Sequence, residues 1–299
     1  MADRQPVKSD GLVVDLLERF LDHHHKKSAP ATYQFYARPI NLFASFIGPK
    51  LRLADLKASH VHDWVDTLPP ASDNYRRNQI RAVKAAFKWA EKRELTDRSP
   101  VRNVEVPPAR PRDVYLLPDQ WDRLVSEVSK SHDRGCLLDI LTVLKETGCR
   151  PQEARQVETR HFDRDDRCWV FPVDESKGKR EKRVVLLTDR AFEICQRLAL
   201  KHPTGPIFRN SKGTPWTRHA LVSRLYRLSK KLGFHVCPYA VRHTFATDAI
   251  HRGVDLQTIA VLMGHANLNM LSRVYQHIRK RSDHLRAGLR NRAIASCCM

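Results

Sequence analysis

The sequence predicts two domains of different build, mainly α in total: a helical domain first, then a mixed α/β domain. Three observations predict this. Apolar residues recur at helical spacing through the first third of the chain, and a proline-bearing stretch that cannot sustain a helix follows. Beyond it, short β-branched runs stand among further helical segments. At 299 residues the chain is long enough to bury two separate cores.

The elements can be justified in order. Across 12–24, Val13, Leu16, Leu17, Phe20 and Leu21 share one helical face. Residues 32–46 repeat the pattern with Tyr33, Tyr36, Ile40, Phe43 and Phe46, and stop before Gly48 and Pro49. A short helix covers 60–66. The helix at 73–93 carries two stripes. Ile80, Val83, Phe87 and Ala90 form an apolar one; Arg77, Arg81, Lys84 and Lys88 form a basic one, with no acidic residue between them. One face suits a core and the other suits DNA phosphates, which makes these four cations candidate DNA-binding residues; a merely solvated basic face is the alternative.

Prolines between Pro100 and Pro118 remove backbone donors and restrict their neighbours. They set a first domain over 1–105, a linker over 106–117 and a second domain over 118–299. In that second domain Asp119 is expected to cap a helix running to about 130, and a helix over 136–146 ends at Gly148. Runs at 168–173 and 183–187 pair as a hairpin around the polar turn 174–182. Thr188 caps a helix to about 200. Helices follow at 217–232, 239–252 and 255–263, the last two trailed by Gly253 and Gly264, and helical structure resumes around Asn269.

Composition narrows the partner. Lys and Arg number 53 against 33 Asp and Glu, a net charge of +20, which points to a polyanion and to nucleic acid foremost. An acidic membrane surface is the alternative. The seven cysteines are odd in number and form no CxxC pair, so neither a disulfide framework nor a zinc site is indicated. The N-terminal residues lack a secretory pattern, and no apolar run approaches the ~18–20 residues needed to cross a bilayer. A reducing, cytoplasmic compartment is therefore expected. His23, His24 and His25, beside Lys26 and Lys27, read as a solvated helix end rather than a metal site.

Four segments hold residues suited to nucleophilic attack on a phosphodiester: TGCRPQE at 147–153, SKGK at 176–179, YAVRHTFAT at 239–247, and MGH at 263–265 followed by Tyr275. Taken singly, Arg150 reads as an ion-pair residue, Lys177 as a solvated turn residue and His265 as a helix cap. Together, in this order and spacing, they resemble the tyrosine recombinase family of phage-type integrases and Xer-type resolvases, and the resemblance extends over almost the whole chain. It implies an N-terminal helical core-binding (SAM-like) domain and a C-terminal mixed α+β catalytic domain that together clamp DNA. It implies that Arg150 and Arg242 are the two catalytic arginines, supported by Glu153, that Lys177 is the lysine of the β-turn, and that His265 and Tyr275 are the histidine and the nucleophile.

The family pattern usually places His three residues before the second arginine, whereas this chain has Tyr239. Tyrosine can donate to a phosphate oxygen but cannot act as a base near neutral pH, which leaves His265 as the next acceptor for the Tyr275 proton. The implied reaction passes through a 3′-phosphotyrosyl intermediate and a Holliday junction without metal, ATP or any cofactor, because the covalent intermediate conserves the bond energy. The implied partners are double-stranded DNA with inverted-repeat core sites and further copies of the chain in a tetramer. The tail bearing Ile278, Leu285, Leu289 and Ile294 among arginines would dock on a neighbouring protomer, with folding back onto its own domain as the alternative. The lack of an added arm-binding domain favours a simple recombinase. Two other functions stay open: a type IB topoisomerase, and a non-catalytic DNA-binding protein on the same fold.

Overall fold

The structure is a computed structural model that describes residues 11–70, 72–109, 115–131, 135–176 and 181–264. The chain divides into two compact units, Met1–Arg112 and Asp113–Met299.

The first unit holds four helices among its described residues: α1 (Val13–Lys27), α2 (Pro30–Ile47), α3 (Ala58–Thr67) and α4 (Asp73–Glu91). Val13, Leu16, Leu17 and Phe20 bury one face of α1, as their spacing requires. Pro30 opens α2 at a position where a missing N–H costs nothing, and Gly48 closes it with φ 74°. The buried face of α2 is narrower than its apolar pattern suggests. Ile40 and Phe43 are buried, but Phe46 lies one turn beyond the contact and is 40% exposed. The buried face of α4 is correspondingly wide, because Ala82 and Ala86 join Ile80, Val83, Phe87 and Ala90. Small side chains there let neighbouring helices approach closely.

The segment after α4 folds back upon it. Val101 and Val104 are buried, the Lys84 ammonium donates to the carbonyls of Arg102 (2.8 Å) and Val104, and Arg77 donates to the carbonyl of Pro107. Along the basic stripe, Arg77 and Lys84 are thus half-buried and bonded within the unit, while Arg81 and Lys88 are exposed.

The second unit runs α5 (Pro118–Ser129), α6 (Cys136–Thr147), α7 (Pro151–Gln156), β1 (Phe162–Asp163), β2 (Cys168–Phe171), β3 (Arg183–Leu186), α8 (Asp189–Lys201), α9 (Arg218–Leu232), α10 (Pro238–His251) and α11 (Leu256–Met263). Helix α6 is its central element, apolar on most sides and packed against α10 and α8, with Leu137, Ile140, Leu141 and Leu144 fully buried. Asp119 does not cap α5. Pro118 already occupies the first helical position, so Leu117 is the cap residue, and its N–H is satisfied by Gln120 Oε1 at 3.0 Å. Thr188, Thr217 and Asp255 do cap their helices, each accepting from the backbone N–H three residues on.

The three strands form one antiparallel sheet in the order β1-β2-β3; β1 is a short strand not anticipated from the apolar pattern. Cys168 pairs with Leu186 and Phe171 with Arg183. Along β3 the burial alternates, so Arg183 and Val185 face inward while Val184 and Leu186 face out. A smaller cluster of Phe245, Ala249, Ile250, Ile259 and Met263 fastens α11 to α10. It places the C-terminal end of α11 near Gly148 and α7, where the candidate site lies.

Candidate active site

The site begins where α6 ends. Gly148 has φ +60°, and a Cβ on it would overlap the ring of Phe245, so this turn requires glycine twice over. The turn delivers Arg150 to the start of α7, with Pro151 at the first helical position and Glu153 two residues on. Glu153 grips Arg150 at both ends: Oε2 accepts from the Arg150 backbone N–H at 2.6 Å, and Oε1 accepts from Nη1 at 2.7 Å. A charge-assisted contact of this kind, only 9% exposed at Glu153, leaves Arg150 little freedom to swing.

Arg242 enters from α10, 2% exposed, and donates to Gly148 O (2.7 Å) and Met263 O (2.8 Å). Burial, with the Arg150 charge adding to it, pushes Arg242 down to about 10, so it stays cationic at neutral pH. Arg183 reaches in from β3. Its Nε donates to Glu153 Oε1 at 3.3 Å and its Nη2 to Leu262 O at 2.7 Å. Two guanidiniums, of Arg150 and Arg183, therefore share the carboxylate of Glu153, while that of Arg242 feels its charge without bonding to it, and the balance is strongly positive.

They converge on the C-terminus of α11. The last carbonyls of a helix have no partner inside it, and they form its partially negative end. Here Arg183 serves Val261 and Leu262, Arg242 serves Met263, and Arg150 serves Gly264. Gly264 itself has φ +66° and fits between the arginines: a Cβ would lie 2.8 Å from Arg183 Cζ and 3.1 Å from Arg150 Nη1.

Tyr239 sits in the first turn of α10, one turn before Arg242 and 53% exposed, its ring 6.4 Å from that of His243. Arg155 of α7 interacts electrostatically with Tyr239 and with Arg218 of α9, and burial and the Arg218 charge push Arg155 down. Burial, then Arg242, pushes His243 down, which favours the neutral ring. Cys149 is fully buried and pushed up to about 12 by that burial, so it remains an unreactive thiol. Among the described residues no cluster of His, Cys, Asp or Glu has the makings of a metal site, and no helix is long and apolar enough to cross a membrane.

The structure thus brings Arg150, Glu153, Arg242 and Tyr239 to one region of the second unit. Lys177, His265, Tyr275 and the tail from Ile278 onward lie outside the described residues. What precedes Lys177 is described and anchored: Glu175 takes paired bonds from Arg160 (2.8 and 3.2 Å) and a bond from His161 (2.9 Å). Arg183, Arg155 and Arg218 were not singled out by motif. The signal for Arg183 was available, since the alternation of β3 puts a cation at an inward position.

The second unit is thus a mainly helical α+β body that buries a set of arginines organised by one carboxylate. Comparison with known proteins assigns its family. The profile of the Phage integrase family matches residues 115–282. A tyrosine recombinase of Pseudothermotoga lettingae is 25% identical over 275 residues, covering 88% of this chain and 93% of that protein. Tyrosine recombinase XerC of Bacillus subtilis is 27% identical over 220 residues, 68% of this chain and 69% of that protein. Among solved structures, the Tn1549 transposon integrase in complex with transposon right end DNA superimposes with a TM-score of 0.74 at 21% identity, covering 95% of this chain and all of that one. A lambda integrase dimer bound to a core site gives 0.72 at 14% identity, over 89% of this chain and 77% of that one. The chain belongs to the phage integrase family, the tyrosine-type site-specific DNA recombinases.

Proposed function

We propose that the chain cuts and rejoins duplex DNA through Tyr275, forming a 3′-phosphotyrosyl bond and a free 5′-hydroxyl, and exchanges strands between two sites through a Holliday junction. The observation that carries this reading is the joint placement of Arg150 and Arg242 beside Gly264, with Glu153 holding Arg150. Attack on a phosphodiester builds negative charge on the non-bridging oxygens, and two guanidiniums can hold those oxygens with paired bonds. Removing one such preorganised donor typically costs on the order of 3–4 kcal/mol of transition-state stabilisation.

Tyr275 attacks the phosphorus as its proton leaves, with His265 as acceptor. Lys177, protonated at neutral pH, donates to the departing 5′-oxygen. Tyr239, exposed in the first turn of α10, donates a hydrogen bond to the phosphate through its hydroxyl. The covalent intermediate keeps the bond energy, so religation needs neither ATP nor metal. The partner is a duplex with inverted-repeat core sites, supported by the charge of +20 and by the DNA in the neighbouring integrase structures. Two such sites synapse in a tetramer joined by the C-terminal tails.

Covalent trapping on nicked suicide duplexes tests the reading. The duplexes come from DNA flanking the gene or from a randomised pool, and the gel is denaturing, without metal or ATP. An adduct with wild type and none with Tyr275→Phe is expected. An adduct that persists in Tyr275→Phe moves the nucleophile elsewhere, and specific binding without an adduct means the chain binds DNA without cutting it.

A further inference from the structure

A charged side chain on the inward face of a strand is costly unless every donor finds a partner, and an apolar residue of similar size would often be the more stable choice. Arg183 is such a residue, 9% exposed and on the same face of β3 as Val185. Its donors are spent inside the protein: Nε on Glu153 Oε1 (3.3 Å), Nη1 on Val184 O (2.7 Å) and Val261 O (3.3 Å), and Nη2 on Leu262 O (2.7 Å). A guanidinium holds five N–H donors in one rigid plane. These four bonds therefore fix its orientation and tie β3, α7 and the end of α11 to a single group.

Two contacts link that group to Arg150. Glu153 Oε1, which accepts from Arg183, also accepts from Arg150 Nη1 at 2.7 Å. Gly264 lies between the same two guanidiniums, and its carbonyl accepts from Arg150. We propose that Arg183 is a positioning residue for the phosphate-binding arginines: it holds Glu153 and the last turn of α11 in the places that aim Arg150. The proposal rests on the reading of Arg150 as a phosphate ligand. Without Arg183, Glu153 keeps its bonds to Arg150 but loses the contact that fixes it from the sheet side, and the Leu262 carbonyl loses its partner.

The test uses the full chain and a nicked duplex that the wild-type protein traps covalently, prepared in two forms. One carries the ordinary phosphodiester at the scissile position; the other carries a methylphosphonate, in which a methyl replaces one non-bridging oxygen and removes the charge that the arginines serve. Trapping rates are compared for wild type, Arg183→Met, Arg183→Lys and Arg150→Ala. Arg183→Met is expected to slow trapping about 100-fold on the phosphodiester, the size of a misplaced catalytic group, and less than about tenfold on the methylphosphonate. Arg183→Lys, which keeps the charge but not the planar fork, falls between Arg183→Met and wild type on the phosphodiester. Both rates come from one preparation, so any unfolded fraction cancels in their ratio. An equal loss on both duplexes would mean that Arg183 serves the fold alone and would overturn the proposal, as would undiminished trapping by Arg183→Met. If Arg150→Ala traps the phosphodiester as fast as wild type, the phosphate-ligand reading itself fails and the proposal with it.

Discussion

At the scale of single residues, Glu153 carries the most. It is the carboxylate that Arg150 and Arg183 share, and it also accepts the Arg150 backbone N–H. Replacing it leaves cations facing one another in a place that water barely reaches. Glu153→Ala is expected to lower the unfolding free energy by about 3 kcal/mol, the usual size for breaking a buried pair, measured by urea denaturation at neutral pH. His243 makes a prediction with a definite sign. Burial holds its folded pKa below the ordinary 6.5, so the unfolded chain takes up the proton first as the pH falls. The stability it contributes is intact above that value and is lost as the pH drops through the folded pKa. Urea midpoints should fall on acidification below about pH 6.5, and less steeply in His243→Gln; identical profiles would show that His243 does not titrate on unfolding.

At the scale of elements, α4 shows how far a helical stripe can be read. The spacing of Arg77, Arg81, Lys84 and Lys88 places them on one side of the helix but does not show which of them the following chain will cover. Arg77 and Lys84 bond to carbonyls of the 102–107 stretch, whereas Arg81 and Lys88 stay exposed. If the exposed pair meets phosphates, Arg81→Ala with Lys88→Ala should weaken DNA binding and reduce the salt slope by about 2, at about 0.9 per lost contact. An unchanged slope would leave the stripe a solvated face. Thr188 was legible as a cap because capping is settled within one helical turn, while Asp119 misled because the proline beside it had already claimed the helix start. Arg150 and Arg242 stood out because each lies in a local motif. Arg183 did not, since its partners lie 30 and 78 residues away in the chain and alternation reveals a face but not what waits there.

At the scale of the whole molecule, the charge of +20 and the two-unit build suit a protein that holds a long polyanion. The proposed tetramer puts a demand on the tail: deletion of residues 279–299 should leave binding of one chain to a half-site intact while abolishing cooperative binding and synapsis. A truncated protein that still pairs two sites in a gel-shift assay would rule out docking through the tail. The anchoring of the arginines has one more consequence, which concerns synthesis. Arg150, Arg183 and Arg242 are separated by long stretches of chain, and each finds its acceptors on the end of α11. A growing polypeptide that has not yet emerged as far as Gly264 lacks the surface on which they are arranged, and a domain of this kind folds as a unit. A product that stops before Gly264 therefore has unaligned arginines; on the proposed mechanism, the ability to break a strand arrives only once α11 has been made.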